Sequence, residues 1–252
     1  MYNEELNNQW ISKLREYVRD KRVLLLGNSL SLFSEPRGDF IDSFDVVIRV
    51  GKGFPYPEFR PFIGKKFDVW SFGVLRSGGF NLSVRAKFRI FNFLQIHFYN
   101  DNKLMVTPSV MFDDKFQVYK DFFLMGSWAE LKSYTKFFPQ HEAFRLSQGL
   151  TTLLFLIEKV NSYKELNLFG FDFFDKHTTF NNNGEVKVAH SWHIPLAKPG
   201  LFNPHSYEHE KKFITKLRDK NLINLHPCSE KEVDKYVLNS LFKRFRPEGL
   251  KE

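Results

Sequence analysis

Val23-Leu24-Leu25-Leu26-Gly27-Asn28-Ser29 is the stretch whose reading decides the fold. Four apolar residues in a row, just after Lys21-Arg22, match a short strand buried on both faces, as in parallel sheets. Gly27 lets the backbone turn sharply. Asn28 and Ser29 set short polar groups and free amides where the strand ends. Ligands of open α/β sheets sit at the carboxyl ends of strands, and outward-pointing amides suit a phosphate. Taken alone, the same stretch also fits an ordinary strand-to-loop turn.

Working outward, the pattern repeats. Leu6, Trp10, Leu14 and Tyr17, with Ile11 and Val18 beside them, predict an amphipathic helix over 4–19 that feeds the first strand. Leu30 to Phe33 reads as a helical turn, broken at Glu35-Pro36-Arg37-Gly38. Val46 to Val50 and Phe67 to Phe72 read as buried strands, with a Gly- and Pro-rich loop over 51–64 between them. Residues 76–84 read as a loop, and Phe88 to Tyr99 fits helix or strand equally. Leu104 to Val106 reads as a short strand, and 113–125 and 128–138 as helices. Leu150 to Val160 reads as a buried helix and Leu166 to Phe169 as another strand. A long polar loop covers 175–204, a helix 205–218 and a last strand 222–225. Strands alternating with helices predict an α/β fold: a single Rossmann-like domain with a largely parallel central sheet flanked by helices. Its core spans 22–225, with a C-terminal helical tail over 226–252.

The chain has 252 residues, 42% of them apolar, enough for one large core. A net charge of +8 suits an anionic partner. The basic residues are scattered, so no nucleic-acid arm is visible and no nucleic acid is expected as partner. Cys228 is the one cysteine, which rules out an intrachain disulfide and a thiolate zinc cluster. No apolar run approaches the roughly 20 residues of a membrane span. The expectation is a cytoplasmic protein whose basic surface allows peripheral contact with the inner membrane face.

Five of the eight histidines fall between 177 and 209, where a proton carrier near neutral pH would be useful. His190 and His193 bracket Ser191-Trp192, and His205 and His209 precede Glu210. Singly, each also reads as a surface imidazole. Ser147 is placed to cap a helix whose first turn holds Gln148 and Gly149, and such a terminus favours an anion. A plain cap on a core helix is the other reading. No Asp-x-Asp pair is present: Asp172 and Asp175 are separated by Phe173-Phe174. Neither a metal nor a cofactor is expected.

Together these pieces resemble the sialyltransferases of glycosyltransferase family 29, which are related in fold to the bacterial family 42. Four motifs occur in the family's order. The first runs from Val23 through Gly27-Asn28-Ser29 to Asp45-Val46-Val47-Ile48-Arg49. The second is Ser147-Gln148-Gly149 with its apolar helix and Leu168-Phe169-Gly170-Phe171. The third is His190-Ser191-Trp192-His193, and the fourth is His205 with Glu210. The family usually has Asn two residues after the matching Arg, where this chain has Gly51. The family's disulfide and its secretory anchor have no counterpart.

The resemblance implies a sialyltransferase-type fold and a metal-independent, inverting glycosyltransferase. Its donor would be a CMP-activated acidic keto-sugar: sialic acid, Kdo or a related nonulosonate. Its acceptor would be a glycan or glycolipid hydroxyl, as in lipopolysaccharide or capsule synthesis. His205 is expected as general base. Asn28, Ser29, Ser147, Gln148, Gly149 and His190 are expected to hold the donor and its phosphate. Glu210, Arg49 and Asp172 are expected in support. Two alternatives stay open: a basic nucleic-acid-binding α/β module, and an inactive nucleotide-binding relative. A nicotinamide dehydrogenase fits poorly, since Gly27-Asn28-Ser29-Leu30-Ser31-Leu32 keeps only the first glycine of that fingerprint.

Overall fold

A computed structural model describes residues 4–51, 53, 55–72, 88–91, 94–98, 104–108, 147–173, 179–180, 186–187 and 207–245. The stretch Val23 to Leu26 lies in β1 (Arg22–Leu26), a strand at the centre of a sheet. Its neighbours are β2 (Val46–Val50) on one side and β7 (Glu165–Phe169) on the other. Beyond β2 come β3 (Val69–Phe72) and β4 (Phe88–Phe91), and beyond β7 comes β10 (Asn224–Leu225). All five pairings among these six strands are parallel. The α/β expectation therefore holds.

Alternation along the strands splits the core in two. Val23 and Leu25 of β1, with Val46, Ile48 and Val50 of β2, face α1 (Glu4–Val18), α4 (Gln148–Phe155) and α5 (Tyr207–Asp219). Leu24, Leu26 and Val47 face the other way. They meet Ile41, Phe44 and Ile63, carried on and beside α2 (Gly38–Asp42) and α3 (Arg60–Ile63), and Leu241 of α6 (Lys235–Phe245). The helix at the N-terminus buries Ile11, Leu14 and Val18, as its spacing predicts.

Several boundaries differ from the reading of the sequence. The loop over 51–64 contains two tight helical turns, Pro57–Phe59 and α3, each opening with a proline in its first turn, where the missing N–H costs nothing. The third strand starts at Val69, not Phe67. The Asp68 carboxylate is occupied in accepting from Val47 N at 3.0 Å and from the Tyr17 hydroxyl at 3.0 Å. Phe88 to Tyr99 holds two strands, β4 and β5 (Leu94–Phe98), and β5 pairs antiparallel with β6 (Leu104–Pro108). The buried helix widens to a looser turn over Leu156–Val160 and stops at Asn161 in the left-handed region, φ 35°. The last strand is only the pair Asn224–Leu225. Two-residue strands β8 (Thr179–Phe180) and β9 (Val186–Lys187) pair inside the predicted 175–204 loop. The predicted helices over 113–125 and 128–138 and the loop over 76–84 lie outside the described residues. Among the described residues, no helix is long and apolar enough to cross a membrane.

From β1 the chain moves outward through β2, β3 and β4 on one side, while β7 and β10 fill the other. The sheet order therefore reverses between β1 and β7. Ligand crevices of open sheets form at such reversals, at the carboxyl ends of the strands.

Candidate functional site

Gly27 and Gly170 end the two strands that flank the reversal, and their backbones stay paired past the sheet. Gly27 N donates to Phe169 O at 2.8 Å and Ser29 N donates to Gly170 O at 3.1 Å. A methyl group on Gly27 would sit 2.2 Å from the Gly170 carbonyl oxygen, so glycine is required by close approach. Gly170 itself has φ +76°, a left-handed conformation that glycine adopts freely. The expected free amide at Ser29 is thus already used. Its hydroxyl is engaged as well, accepting from Ser31 N at 3.0 Å and donating to the Asp172 carboxylate. Ser29 caps the short turn Leu30–Phe33, and Asp172 ties that cap to the end of β7. Asn28 is half-buried, and its Nδ2 donates to Val50 O at 3.0 Å, which links the β1 turn to the end of β2.

The start of α4 faces the same edge. Ser147 caps it as its sequence predicts, its hydroxyl accepting from Leu150 N at 3.2 Å. The usual carboxylate partner of such a cap sits three residues on, and here that position is the apolar Leu150. Glu210 of α5 supplies the carboxylate instead. It accepts from Ser147 N at 2.5 Å and from the Ser147 hydroxyl at 2.6 Å. Full burial pushes the Glu210 carboxyl up to about 7, against the pull of both Ser147 bonds. Gln148 sends its carbonyl to the Thr152 hydroxyl at 2.8 Å, and its buried side-chain Nε2 has no hydrogen-bond partner. Thr152 in turn reaches the Ser71 hydroxyl of β3 at 2.7 Å.

Phe171 joins the two halves. Its ring would lie 3.0 Å from a methyl on Gly27 and 2.8 Å from one on Gly149. One aromatic ring therefore separates the β1 turn from the first turn of α4, with a glycine on each side. The Cys228 thiol lies at this edge too. Burial pushes it up, while hydrogen bonding to Ser31 and to the Gly170 and Phe171 backbone opposes the shift.

Arg49 lies on the opposite face of the sheet, buried at 1% exposure. Its Nε donates to Lys66 O at 2.8 Å and its Nη2 to Ile63 O at 2.6 Å. Burial draws the guanidinium down to about 9, with Asp42 and Asp68 holding it up. Gly51, two residues on, has φ +59°. Its N–H donates to Ser71 O at 2.7 Å and its carbonyl accepts from Trp70 Nε1 at 2.7 Å.

Asn28, Ser29 and Asp172 thus meet at one edge with Ser147, Gln148, Gly149 and Glu210. Arg49 approaches the same edge from below. His190 and His205 lie outside the described residues. Among the described residues, no group of three or more His, Cys, Asp or Glu side chains could hold a metal ion. Two contacts went unread in the sequence: Ser29 with Asp172, and Ser147 with Glu210. Only the second left a signal, a serine cap whose own first turn offers no carboxylate.

No family model matches the sequence, and no curated protein does. Among solved structures, the fold is similar to the crystal structure of a mammalian sialyltransferase. The TM-score is 0.50 at 15% identity, over 90% of this chain and 86% of that one. A mammalian sialyltransferase in complex with Gal-beta-1-3GalNAc-ortho-nitrophenol matches at TM-score 0.41 and 15% identity, over 89% and 86% of the two chains. The chain has a sialyltransferase-like fold.

Proposed function

We propose that the protein is a glycosyltransferase of the sialyltransferase type, moving an acidic keto-sugar from its CMP donor to a glycan hydroxyl without a metal. The observation that carries this reading is the junction at the sheet reversal. There the Gly27–Ser29 turn, the Ser147–Gly149 helix start and Glu210 of a third segment come together. These are the residues of three of the four motifs, and the motifs lie far apart in the chain.

In the reaction the acceptor oxygen attacks the anomeric carbon of the sugar. The bond from that carbon to the phosphate oxygen breaks, and CMP leaves with the electron pair. The transition state is oxocarbenium-like, and charge grows on the departing phosphate. Fixed hydrogen-bond donors must stabilise that charge when no ion does. Asn28, the start of α4 and His190 are the donors in this reading. His205 takes the proton of the acceptor hydroxyl. It stands five residues before Glu210 in the chain, and Glu210 is bound to the cap of α4.

A donor-hydrolysis and transfer assay with CMP-Neu5Ac and CMP-Kdo tests the activity and distinguishes the two sugars. His205→Ala should lower turnover by a factor of about 100 or more while CMP still binds; near-normal turnover would remove the assigned base. Salt-sensitive binding to RNA with no CMP release would replace the reading with that of a nucleic-acid-binding module.

A further inference from the structure

The buried cation of β2 is only partly used. Arg49 Nε and Nη2 are satisfied by two carbonyls, but Nη1 is buried and has no hydrogen-bond partner. Among the described residues, no carboxylate pairs with the guanidinium directly. Asp42 accepts from the backbone N–H groups of Lys65 and Lys66, and Asp68 from Val47 N and the Tyr17 hydroxyl. Both acids act on Arg49 through space only. A buried charge with an unmet donor is costly, so such a group is kept where something completes it.

The surroundings show where the completing group would come from. Arg49, Gly27, Asn28, Leu32 and Gly53 line a crevice beneath the β1 turn that is too tight for a water molecule as it stands, so a ligand enters only if a lining side chain moves. Asn28 roofs it, held by the one bond from Nδ2 to Val50 O. Its Oδ1 faces Gly53, where a methyl group would come within 2.9 Å of it.

We propose that Arg49 is an anion-holding residue: Nη1 donates to a phosphate oxygen seated at the β1 turn, and the Asn28 side chain turns aside to admit it. This assignment rests on the functional reading above and adds to it a residue buried under the site. The ligand class is a phosphate monoester or its free anion. The guanidinium supplies full positive charge where the turn supplies only neutral donors, and a charge-assisted bond of this kind is about twice as strong as a neutral one. Gly53, with no side chain, leaves uncrowded the Asn28 Oδ1 that a methyl there would press upon.

Titration calorimetry of CMP, cytidine and inorganic phosphate into the full chain and into Arg49→Met, Arg49→Lys and Gly53→Ala tests this. Arg49→Met should weaken CMP and phosphate at least about tenfold and leave cytidine unchanged. Arg49→Lys should recover part of the loss, and Gly53→Ala should weaken the phosphate-bearing ligands alone. Equal CMP and phosphate affinity in wild type and Arg49→Met would reduce Arg49 to a structural donor for Ile63 and Lys66, with the transferase reading intact. If the wild type ignores CMP yet binds phosphate in an Arg49-dependent way, the transferase reading fails and this assignment stands. Should Arg49→Met not fold, arginine-labelled wild type decides by NMR. The Arg49 side-chain signal should shift when phosphate is added, and an unmoved signal overturns the proposal.

Discussion

Glu210 and Arg49 are both buried ionisable groups near the carboxyl edge of the sheet, one on each face, and they are satisfied very differently. Both oxygens of Glu210 are taken by a single residue, Ser147. Arg49 reaches two carbonyls and has a nitrogen to spare. Glu210 forms a closed contact, whose work is to hold two helices together at one point. Arg49 is open, and it lines a crevice together with Gly27 and Asn28 of the turn that ends β1. Similar burial thus serves fastening on one face and, in our proposal, binding on the other.

The strongest way to break the comparison is to damage what the two faces share. Gly27→Ala drives a methyl group into the Gly170 carbonyl. It should destabilise the protein by about 3 kcal/mol or more, read as a loss of the folded state in urea. Glu210→Ala comes next. It leaves the half-buried N–H and hydroxyl of Ser147 without their acceptor and should cost about 1–2 kcal/mol. A loss under about 0.5 kcal/mol would show that the contact fastens nothing.

The pH dependence sharpens the contrast further. The Glu210 carboxyl is raised to about 7 in the folded protein from an ordinary value of 4.5. Between those values the folded chain holds a proton that the unfolded chain has released. Stability from this group is therefore fully present below pH 4.5 and declines as pH rises toward 7, by up to about 3 kcal/mol. Glu210→Gln mimics the protonated acid, so the difference in stability between wild type and this variant should fall across that window. A constant difference between pH 4.5 and 7.5 would place the carboxyl in its ordinary range. The smallest effect belongs to the other end of the sheet. Arg22 pairs there with Glu165 at 3.0 Å, both partly exposed, and Glu165→Gln should cost no more than about 0.5 kcal/mol.

What could be read in the sequence follows from the range of the forces involved. The strands β1, β2 and β7 announce themselves as short apolar runs, and the Ser147 cap is a local signal read correctly. The turn at Gly27 was legible because a glycine after an apolar run has few other meanings. Arg49 was named, but nothing local says that an arginine inside Val46–Val50 is fully buried. In a strand covered on both faces, alternation does not tell which side is polar. The bond between Ser147 and Glu210 spans 63 residues, and that between Ser29 and Asp172 spans 143. Neither leaves a periodic trace. The turns over 57–63 were missed because prolines read as loop although their first-turn positions suit a helix. Phe88 to Tyr99 is ambiguous because Arg89, Asn92, Gln95 and His97 interrupt its apolar residues at spacings that follow neither period throughout.

The two long-range bonds have a joint effect on the stretch between them. Asp172 is moored to Ser29 just before residue 173, and Glu210 is moored to Ser147 just after residue 207. The thirty-odd residues in between carry four of the chain's eight histidines. That span is bounded on each side by a bond to a partner outside it, and the entropy of closing a chain segment grows only slowly with its length. A change of length between Asp172 and Glu210 is therefore expected to leave both moorings and the sheet register in place. In our proposal His190 and His205 both fall in this span, so exchanging it would change donor and acceptor chemistry together.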